Sequence, residues 1–567
     1  SLIEGAIKPQ WALLGATFIA ICSFLPLYLA PASVAEIVKP LFVVLAVSLG
    51  LSWILALCQT TTFGNFILKE AVPGGAMKDP YDTKLYHKFE KFLTLLIKRR
   101  FVTLTTVFVT LVLSLVIMAV MPQSFFPKMN KPYFRADLVF PEGFSIHAVD
   151  QDVMKVEGYL KNHEKVKSYS VTLGGTPLRY YLASSSFGPK SNYANVMVET
   201  KDPEDAAEVE QQFYEHMTQN FPNIITRSAL FALSPVPEAA IEIGFIGENP
   251  DTLTALVERA KKIARQCDMV TDIRSNWGDK VPVWKPMFSQ QKGLRLGITR
   301  QQVANSFRTA TNGLPLGEYR EGDVSLPILL KDEDVEKMNL NDVKSVPVFS
   351  TKGNSVKVEQ VIDNFALGYD YNVVRRFNRE RCMMMQCEPK RGANTMAAFK
   401  QVLTAVQEQM RLPEGYKMKY FGEQETQDVS NAALAKNIPL TFLLIYVVLL
   451  FLFPSNYRKP VLIMLMLPLV FIGVVWGLLL FGKSLDFFAI LGLLGLIGMN
   501  IKNAIVLVDE IGLQLKDGKG AVPAVVEATK TRIVPVTMAS GTTILGMLPL
   551  LGDAMFAGMA GTILGGL

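Results

Sequence analysis

The fold of this chain is decided by the stretch Phe487-Phe-Ala-Ile-Leu-Gly-Leu-Leu-Gly-Leu-Ile-Gly-Met-Asn-Ile-Lys-Asn-Ala-Ile-Val-Leu-Val508. Asp509 and Glu510 follow it directly. As a helix, the run is long enough to cross a hydrocarbon core about 30 Å thick. It contains one cation, Lys502, and the amide Asn503 beside it. A lysine at this depth costs about 2.5–3.5 kcal/mol on insertion unless it faces a partner or a wet cavity. The stretch therefore predicts a membrane helix with a polar site near its middle.

Two interpretations of Lys502 are open. Its long stem could carry the ammonium group to the membrane surface, as lysines near helix ends do. However, at least two helical turns flank Lys502 on each side, and Asn503 has no such stem. Asp509 follows seven residues later, on the same helical face and about 10 Å along the axis. We favour an ion-coupling site over a structural lysine, and keep open that Asp509 is an interfacial acid beside the next loop.

The composition is that of a membrane protein with a large polar part. Half of the 567 residues are hydrophobic (50%), 19% are charged, and the mean hydropathy is +0.26. The net charge of +6 comes without a block of basic residues, which argues against nucleic acid as a partner. No nucleophile set, phosphate loop or nucleotide motif is present, so we expect neither an enzyme nor a cofactor.

The sulfur-containing residues raise the question of a metal site. Five cysteines and four histidines show no spacing typical of metal ligands. Thioethers and thiols suit Cu(I), and Met383-Met-Met385 lies between Cys382 and Cys387. On a strand these methionines alternate between faces, so three of them do not converge. We therefore expect methionines that fill a core and no metal site.

Hydropathy and loop charges predict the membrane topology. Residues 1–68 hold two membrane helices, 101–120 a third, and 436–567 four more with the start of a fifth. The loop 69–100 carries eight Lys/Arg against four acids, which places it in the cytoplasm, and its second half suits a helix on the membrane surface. Since the chain begins without Met and ends within an apolar run, we expect a piece of a longer protein.

The exterior region is predicted to be α+β. Residues 121–235 show the alternation of a β-α-β-β-α-β unit, the split βαβ or ferredoxin-like plan. A second such unit is divided between 236–280 and 376–435, with residues 281–375 inserted as a separate subdomain. The predicted fold is thus a membrane α-helical bundle plus an α+β exterior domain.

Several segments resemble one known family. Gly495-Leu-Ile-Gly-Met-Asn-Ile-Lys502-Asn503-Ala-Ile-Val-Leu-Val-Asp509 is similar to the tenth transmembrane helix of the resistance-nodulation-division exporters. Thr531-Arg532-Ile-Val-Pro-Val-Thr-Met-Ala resembles the start of their eleventh helix, and Phe453-Pro-Ser-Asn-Tyr-Arg-Lys-Pro460 resembles the turn between the eighth and ninth. The resemblance covers the whole chain, as the piece from the fifth to the early twelfth helix.

The resemblance implies a proton-driven exporter of the multidrug type in the inner membrane of a Gram-negative bacterium. It would be a homotrimer that joins a periplasmic adaptor protein and an outer-membrane channel. The family lysine pairs with two aspartates of the fourth helix, which would precede Ser1. The implied proton relay consists of Lys502, Asn503, Asp509, Arg532 and Thr542. A family threonine falls at Ala539, and Ser540, Thr542 or Thr543 could replace its hydroxyl.

The resemblance also implies a substrate-contacting loop and porter and docking subdomains. The loop Gly174–Tyr193 occupies the place of the family's substrate loop, and its aromatic residues are the implied contacts: Tyr180, Tyr181, Phe187 and Tyr193. The alternative is an ordinary flexible loop with scattered aromatics. For the whole protein, heavy-metal cation efflux and a non-pumping accessory of export or lipid sensing remain alternatives to drug efflux. Residues 281–375 are the implied docking subdomain.

Overall fold

The computed structural model describes residues 10–30, 33–67, 83–123, 129–179, 189–231, 238–332, 342–350, 353–454 and 456–567. The chain divides into two compact units. One consists of Ser1–Asn276 with Arg376–Leu567, and the other is Trp277–Arg375.

The first unit begins with helices. Gln10–Ser23 (α1) and Leu25–Leu29 (α2) form one apolar span, and Ser33–Ile67 (α3) contains a second. The amphipathic helix Lys84–Lys98 (α4) is followed after one residue by Arg100–Val120 (α5), the third span. These three helical segments are long and apolar enough to cross a membrane.

The region for which the resemblance implies a first porter subdomain, a label kept here for reference, is a four-stranded sheet covered by two helices. Its elements are Tyr133–Val139 (β1), Ile146–Lys161 (α6), Val166–Leu173 (β2), Tyr193–Thr200 (β3), Asp205–Asn220 (α7) and Ile225–Leu230 (β4). The strands lie in the order β2-β3-β1-β4, all neighbours antiparallel. Alternate residues of β1, Phe134, Ala136 and Leu138, are buried in the core with both helices. This is the predicted split βαβ plan, with β4 located by the structure.

The second porter subdomain starts with Ile241–Ile246 (β5), Pro250–Ala264 (α8) and Val270–Ser275 (β6). Every residue of β5 is buried, as a central strand covered on both faces requires. The Asn249 side chain caps α8 by accepting a hydrogen bond from the Asp251 backbone N–H at 2.8 Å. The chain then leaves for the other unit.

The inserted unit is built from hairpins and short helices. Its strands are Lys280–Phe288 (β7), Leu314–Glu321 (β8), Val324–Leu330 (β9), Pro347–Phe349 (β10), Ser355–Lys357 (β11) and Ile362–Tyr371 (β12). They pair as β12-β7, β8-β9 and β10-β11. Its α-helices are Gln290–Leu296 (α9) and Arg300–Thr309 (α10), with 3₁₀ turns at Asp342–Ser345 and Val358–Gln360. A capping box formed by Thr299 and Gln302 starts α10.

The second porter subdomain resumes after the insertion. Arg376–Phe377 (β13), Glu380–Pro389 (β14), Thr395–Gln409 (α11) and Lys417–Phe421 (β15) follow in order. The sheet runs β13-β14-β5-β15, and β6 also pairs with β14. Apart from the short β13, this repeats the topology of the first porter subdomain.

A membrane helix continues the sheet without a loop. Gly422–Leu452 (α12) starts at the residue after β15, and Gly422 has φ +80°. A Cβ at this position would lie 3.0 Å from the Ala240 carbonyl oxygen, so glycine suits both the angle and the space. The sequence placed the membrane helices of this region within residues 436–567, and α12 begins before that boundary, at Gly422. The first four turns are polar, so the hydropathy pattern did not reveal them.

The remaining helices form a packed group. They are Arg458–Met466 (α13), Val470–Leu480 (α14), Phe487–Lys516 (α15), Ala521–Met547 (α16) and Ala557–Gly566 (α17), with 3₁₀ turns at Leu467–Leu469 and Leu548–Gly552. Gly492, Gly495 and Gly498 lie on α15 where neighbours approach closely. A Cβ at Gly498 would be 3.0 Å from Ala20 of α1, and one at Gly492 would be 2.9 Å from the Met559 oxygen of α17.

Candidate functional site

Helix α15 is packed in its first half and open in its second. Asp486 caps its N-terminus, and Oδ1 accepts a hydrogen bond from the Ala489 N–H at 2.7 Å. Most residues from Phe487 to Ile501 are buried. From Lys502 onward, exposed and buried residues alternate at helical spacing. The polar residues of the motif are thus the part of α15 that the described chain leaves accessible.

Lys502 and Asp509 are both exposed, and Asn503 is half-buried. Among the residues that the structure describes, no carboxylate lies within ion-pair distance of Lys502. Seven residues separate Lys502 from Asp509, so the two side chains share one side of α15 without touching. The structure therefore brings Lys502 and Asp509 to one face of α15.

An ion pair that the sequence analysis missed joins α15 to α16. Glu510 Oε2 accepts hydrogen bonds from Arg532 Nε at 3.1 Å and Nη2 at 2.5 Å. Gln514 Nε2 donates to the other oxygen of Glu510 at 2.9 Å. Arg532, which the resemblance assigned to the relay, thus contacts Glu510 and not Asp509. The helical angle could have indicated this, because Glu510 lies about 100° around the helix from its neighbour.

The hydroxyls of Thr542 and Thr543 are bonded within their own helix, α16. Thr542 Oγ1 donates to the Ala539 carbonyl oxygen at 2.9 Å, and Thr543 Oγ1 donates to the same oxygen at 3.0 Å. Thr542 is exposed, whereas Ser540 and Thr543 are half-buried. Thr542 is therefore the more accessible of the two threonines.

Most of the implied substrate contacts lie outside the described residues, namely Tyr180, Tyr181 and Phe187. Tyr193 is described and starts strand β3, so it belongs to the sheet and not to the loop that precedes it. Its side chain is 2% exposed, and its hydroxyl donates to Asp137 Oδ1 at 2.6 Å. Burial and the neighbouring carboxylate raise the pKa of Tyr193. In this conformation Tyr193 offers no surface to a substrate, which corrects its placement as a loop contact.

The two porter subdomains are joined by a charged contact centred on Arg391. This residue precedes α11 and makes two hydrogen bonds to Glu210 of α7, from Nη1 at 2.8 Å and from Nη2 at 2.5 Å. Nη2 also donates to Ser228 Oγ of β4 at 3.0 Å, and the guanidinium carbon lies 4.2 Å from the Tyr214 ring centroid. We refer to Arg391, Glu210, Ser228 and Tyr214 as the subdomain clasp.

A second charged contact crosses the same boundary. Arg227 Nε of β4 donates to Asp272 Oδ2 of β6 at 3.0 Å. Asp272 also pairs with Arg274, whose Nη2 lies 3.5 Å from Glu388 Oε1. Asp272 has φ +48°, in the left-handed region that aspartate tolerates, at the place where β6 shifts register against β14.

The buried Glu242 and the half-buried Glu388 lie in the same sheet near the start of α12. Glu242 Oε1 accepts hydrogen bonds from Gln386 Nε2 at 2.8 Å and from the Ala239 N–H at 3.2 Å. Burial raises the pKa of Glu242 to about 7, and the charge of Glu238 adds to the shift. Burial also raises the pKa of Glu388, against the opposing effect of Arg274. These groups titrate on the exterior side of the predicted topology.

The methionines of β14 lie in the sheet as the alternation predicted. Met383 and Met385 are buried, as are Cys382 and Cys387, and Met384 is half-buried. Within the described ranges, no group of three His, Cys, Asp or Glu side chains is arranged to hold a metal ion. Their positions are those of core side chains.

Known proteins similar to this chain include metal-resistance and multidrug-export proteins. A family model described as the AcrB/AcrD/AcrF family matches residues 2–567. The nickel and cobalt resistance protein CnrA of Cupriavidus metallidurans is 26% identical over 316 residues, covering 55% of this chain and 29% of that protein. The multidrug export protein AcrF of Escherichia coli is 23% identical over 563 residues, covering 95% of this chain and 53% of AcrF.

The fold is also found among solved structures. The crystal structure of a heavy metal efflux pump matches with a TM-score of 0.77 at 16% identity, over 98% of this chain and 55% of that one. At this identity the likeness shows the fold alone. The chain spans about half the length of AcrF and of this pump.

Proposed function

Because the family model spans residues 2–567, this chain belongs to the AcrB/AcrD/AcrF family of resistance-nodulation-division efflux transporters, and we propose that it carries part of the proton-coupling machinery for exporting small amphiphilic or hydrophobic compounds. It is a multi-pass inner-membrane protein with a large periplasmic domain. The observation that carries the proposal is Lys502, a cation in the middle of a membrane-length helix with no described carboxylate partner.

The proposed coupling follows from the charge of Lys502. Two carboxylates close together repel, and a cation within about 4–6 Å allows both to stay ionised. In the complete exporter such carboxylates would stand opposite the exposed face of α15. When protons neutralise them, Lys502 loses its partners and turns toward other polar groups, such as Asn503 or the hydroxyl of Thr542. Two arrangements of the helices then exist, which is what coupling requires.

Asp509 and Arg532 have different proposed roles in this relay. Asp509 lies exposed toward the cytoplasmic end of the face that carries Lys502, where a proton would leave. Arg532 of α16 is hydrogen-bonded to Glu510 of α15, so a shift of one helix is transmitted to the other. The aromatic residues Tyr180, Tyr181 and Phe187 are the proposed contacts for amphiphilic substrates.

Partners follow from the family. The complete protein would be a homotrimer that joins a periplasmic adaptor and an outer-membrane channel, with the inserted unit Trp277–Arg375 as the docking part. Cross-linking of the full-length protein in membranes tests the trimer. Co-purification with and without residues of the inserted unit tests the docking assignment.

A second candidate is efflux of heavy-metal cations. Two of the similar proteins are named for metals, a nickel and cobalt resistance protein and a heavy metal efflux pump. Against it, four of the five thioether and thiol side chains of β14 are buried in the sheet, namely Cys382, Met383, Met385 and Cys387. This candidate therefore rests on the relatives and not on a described site.

The experiment that separates the candidates uses full-length protein in proteoliposomes with an imposed proton gradient. We expect dissipation of the gradient to be accelerated by amphiphilic dyes and not by Co²⁺ or Ni²⁺. Acceleration by the cations alone would transfer the proposal to metal efflux. If neither class of compound has an effect on the gradient, and the protein is folded and trimeric, the chain belongs to a non-pumping accessory.

A further inference from the structure

Helix α4 carries a row of lysines on one side. Lys84, Lys88, Lys91 and Lys98 follow at intervals of four, three and seven residues, which places their side chains within a narrow stripe of the helix surface. All four are exposed. The one acid of the helix, Glu90, lies off this stripe by roughly a third of a turn. The stripe is therefore a linear array of positive charges about 21 Å long.

Contacts with α16 fix the direction of this lysine row. Helix α4 packs against α16, and Glu90 Oε2 lies 3.9 Å from the Nζ of Lys530, which is nearly buried. Because Glu90 is on the side that contacts α16, the lysine row is turned away from the helix bundle. Its charges are thus available to a partner outside the described chain.

Large apolar side chains accompany the lysines. Phe92 and Leu95 are 55% and 49% exposed and lie beside or within the row. One residue after α4 the chain enters the membrane span α5, whose first turn exposes Arg100 and Phe101. The row is therefore held at the level where the span meets water. Lysine and exposed aromatic groups together suit the boundary between phosphate head groups and acyl chains.

We propose that the lysine row of α4 is a binding surface for anionic phospholipid head groups of the inner leaflet. Complementary charge is supplied by the four ammonium groups, and Phe92 and Leu95 enter the acyl boundary beside them. Each lysine near an anionic surface contributes roughly fivefold in affinity. The surface thus selects phosphatidylglycerol-type lipids over zwitterionic ones, which goes beyond the transport proposed above.

A local lipid probe tests this surface in the full-length protein. Phe92→Cys is labelled with bimane in a full-length background without other reactive cysteines; within this chain Cys58 is replaced by Ser, since the other four cysteines are buried. The protein is placed in phosphatidylcholine vesicles containing equal fractions of brominated phosphatidylglycerol or brominated phosphatidylcholine. We expect stronger quenching by the glycerol lipid, with an excess that shrinks as salt is added.

Charge variants decide whether the lysine row is responsible. Replacing all four lysines by Gln (Lys84→Gln, Lys88→Gln, Lys91→Gln and Lys98→Gln) should make the two quenching curves coincide, while the same positions as Arg should keep the excess. A control with equal charge change uses exposed exterior lysines, Lys161→Gln, Lys201→Gln, Lys262→Gln and Lys400→Gln, and should match the parent.

The outcomes are independent of transport, because no substrate or proton gradient is used. Coincident curves in the parent, or an excess that survives the four Gln substitutions, would overturn the proposal. Absence of quenching by either lipid would also overturn it and point to an acidic protein segment as the occupant of the row.

Discussion

Lys502 and Asp509 lie on the same exposed side of α15, two helical turns apart, whereas Glu510 turns to the neighbouring helix and is held there by Arg532. Three charged residues of one helix thus face two environments. In the proposed coupling, the exposed pair responds to protons and to other helices. The pair formed by Glu510 and Arg532 is structural, and this division leads to separate predictions for adjacent acids.

Replacing Lys502 should abolish transport without harming assembly. Lys502→Met removes a cation from the apolar span, so insertion becomes easier and trimer levels should equal or exceed those of the parent. Lys502→Arg keeps the charge in a broader planar group and should also be severely impaired. Lys516→Met, an exposed lysine at the end of the same helix, is the matched control and should export normally. Drug accumulation in cells is the measurement; near-parental export by Lys502→Met would refute the coupling role.

Replacing the adjacent acids Asp509 and Glu510 by their amides should affect two different properties, transport and stability. Glu510→Gln weakens the charged hydrogen bonds to Arg532 and should lower stability by about 1–2 kcal/mol. Asp509→Asn touches no described ion pair and should leave stability unchanged while slowing transport. Thermal unfolding in detergent and dye efflux, measured on both variants, distinguish the two roles. Equal loss of stability in both would contradict the assignment.

Removing the subdomain clasp should let the porter subdomains separate more readily. Arg391→Gln leaves the largely buried carboxylate of Glu210 with Ser228 as its remaining clasp partner. The free energy of unfolding should fall by about 1–3 kcal/mol. Hydrogen exchange of α7 and α11 amides should accelerate. Arg411→Gln, at an exposed arginine after α11, should not change exchange. The double variant with Glu210→Gln should lose less than the two single losses together; strict additivity would show that the contact carries no energy.

Stability of the second porter subdomain should decrease as the pH rises toward 7. The folded pKa of Glu242 is about 7, above that of an unfolded glutamate, so the folded state binds more protons between about pH 4.5 and about pH 7. This stabilising contribution is complete below the unfolded pKa and is lost as the pH passes the folded one. Glu238, Gln386 and Arg274 are the groups that face this carboxyl.

The isosteric Glu242→Gln tests this dependence. At about pH 8 the variant should unfold at a higher temperature than the parent, because no charge remains to be buried. The gain in unfolding free energy should be up to about 3 kcal/mol. At about pH 5 the two should agree. Burial shifts the pKa of Glu388 in the same direction, so part of the slope persists in the variant. Parallel curves for parent and variant at all pH values would exclude Glu242 as the source.

The sequence predicted features that depend on neighbours along the chain. Apolar length predicted long apolar helices, and alternation predicted the split βαβ plan of the exterior region. It did not predict that α12 begins at Gly422, because hydropathy reports contact with lipid and the first turns of α12 are polar. Nor did it reveal Arg391 with Glu210, since 181 residues separate them. The sequence analysis assigned Tyr193 to the substrate loop, because the sequence alone does not show whether an aromatic residue at the end of a loop is exposed or buried.

The direct passage from β15 into α12 has a mechanical consequence. Helix α12 has 31 residues, which is a rod about 46 Å long. A tilt of about 5° at Gly422 moves its far end by about 4 Å. Strand β15 is hydrogen-bonded along β5, and no linker residues separate β15 from α12. Helix α12 and the second porter sheet must therefore change orientation together. A rearrangement of the helices inside the membrane that tilts α12 therefore also rotates this sheet, and a rotation of the sheet tilts α12.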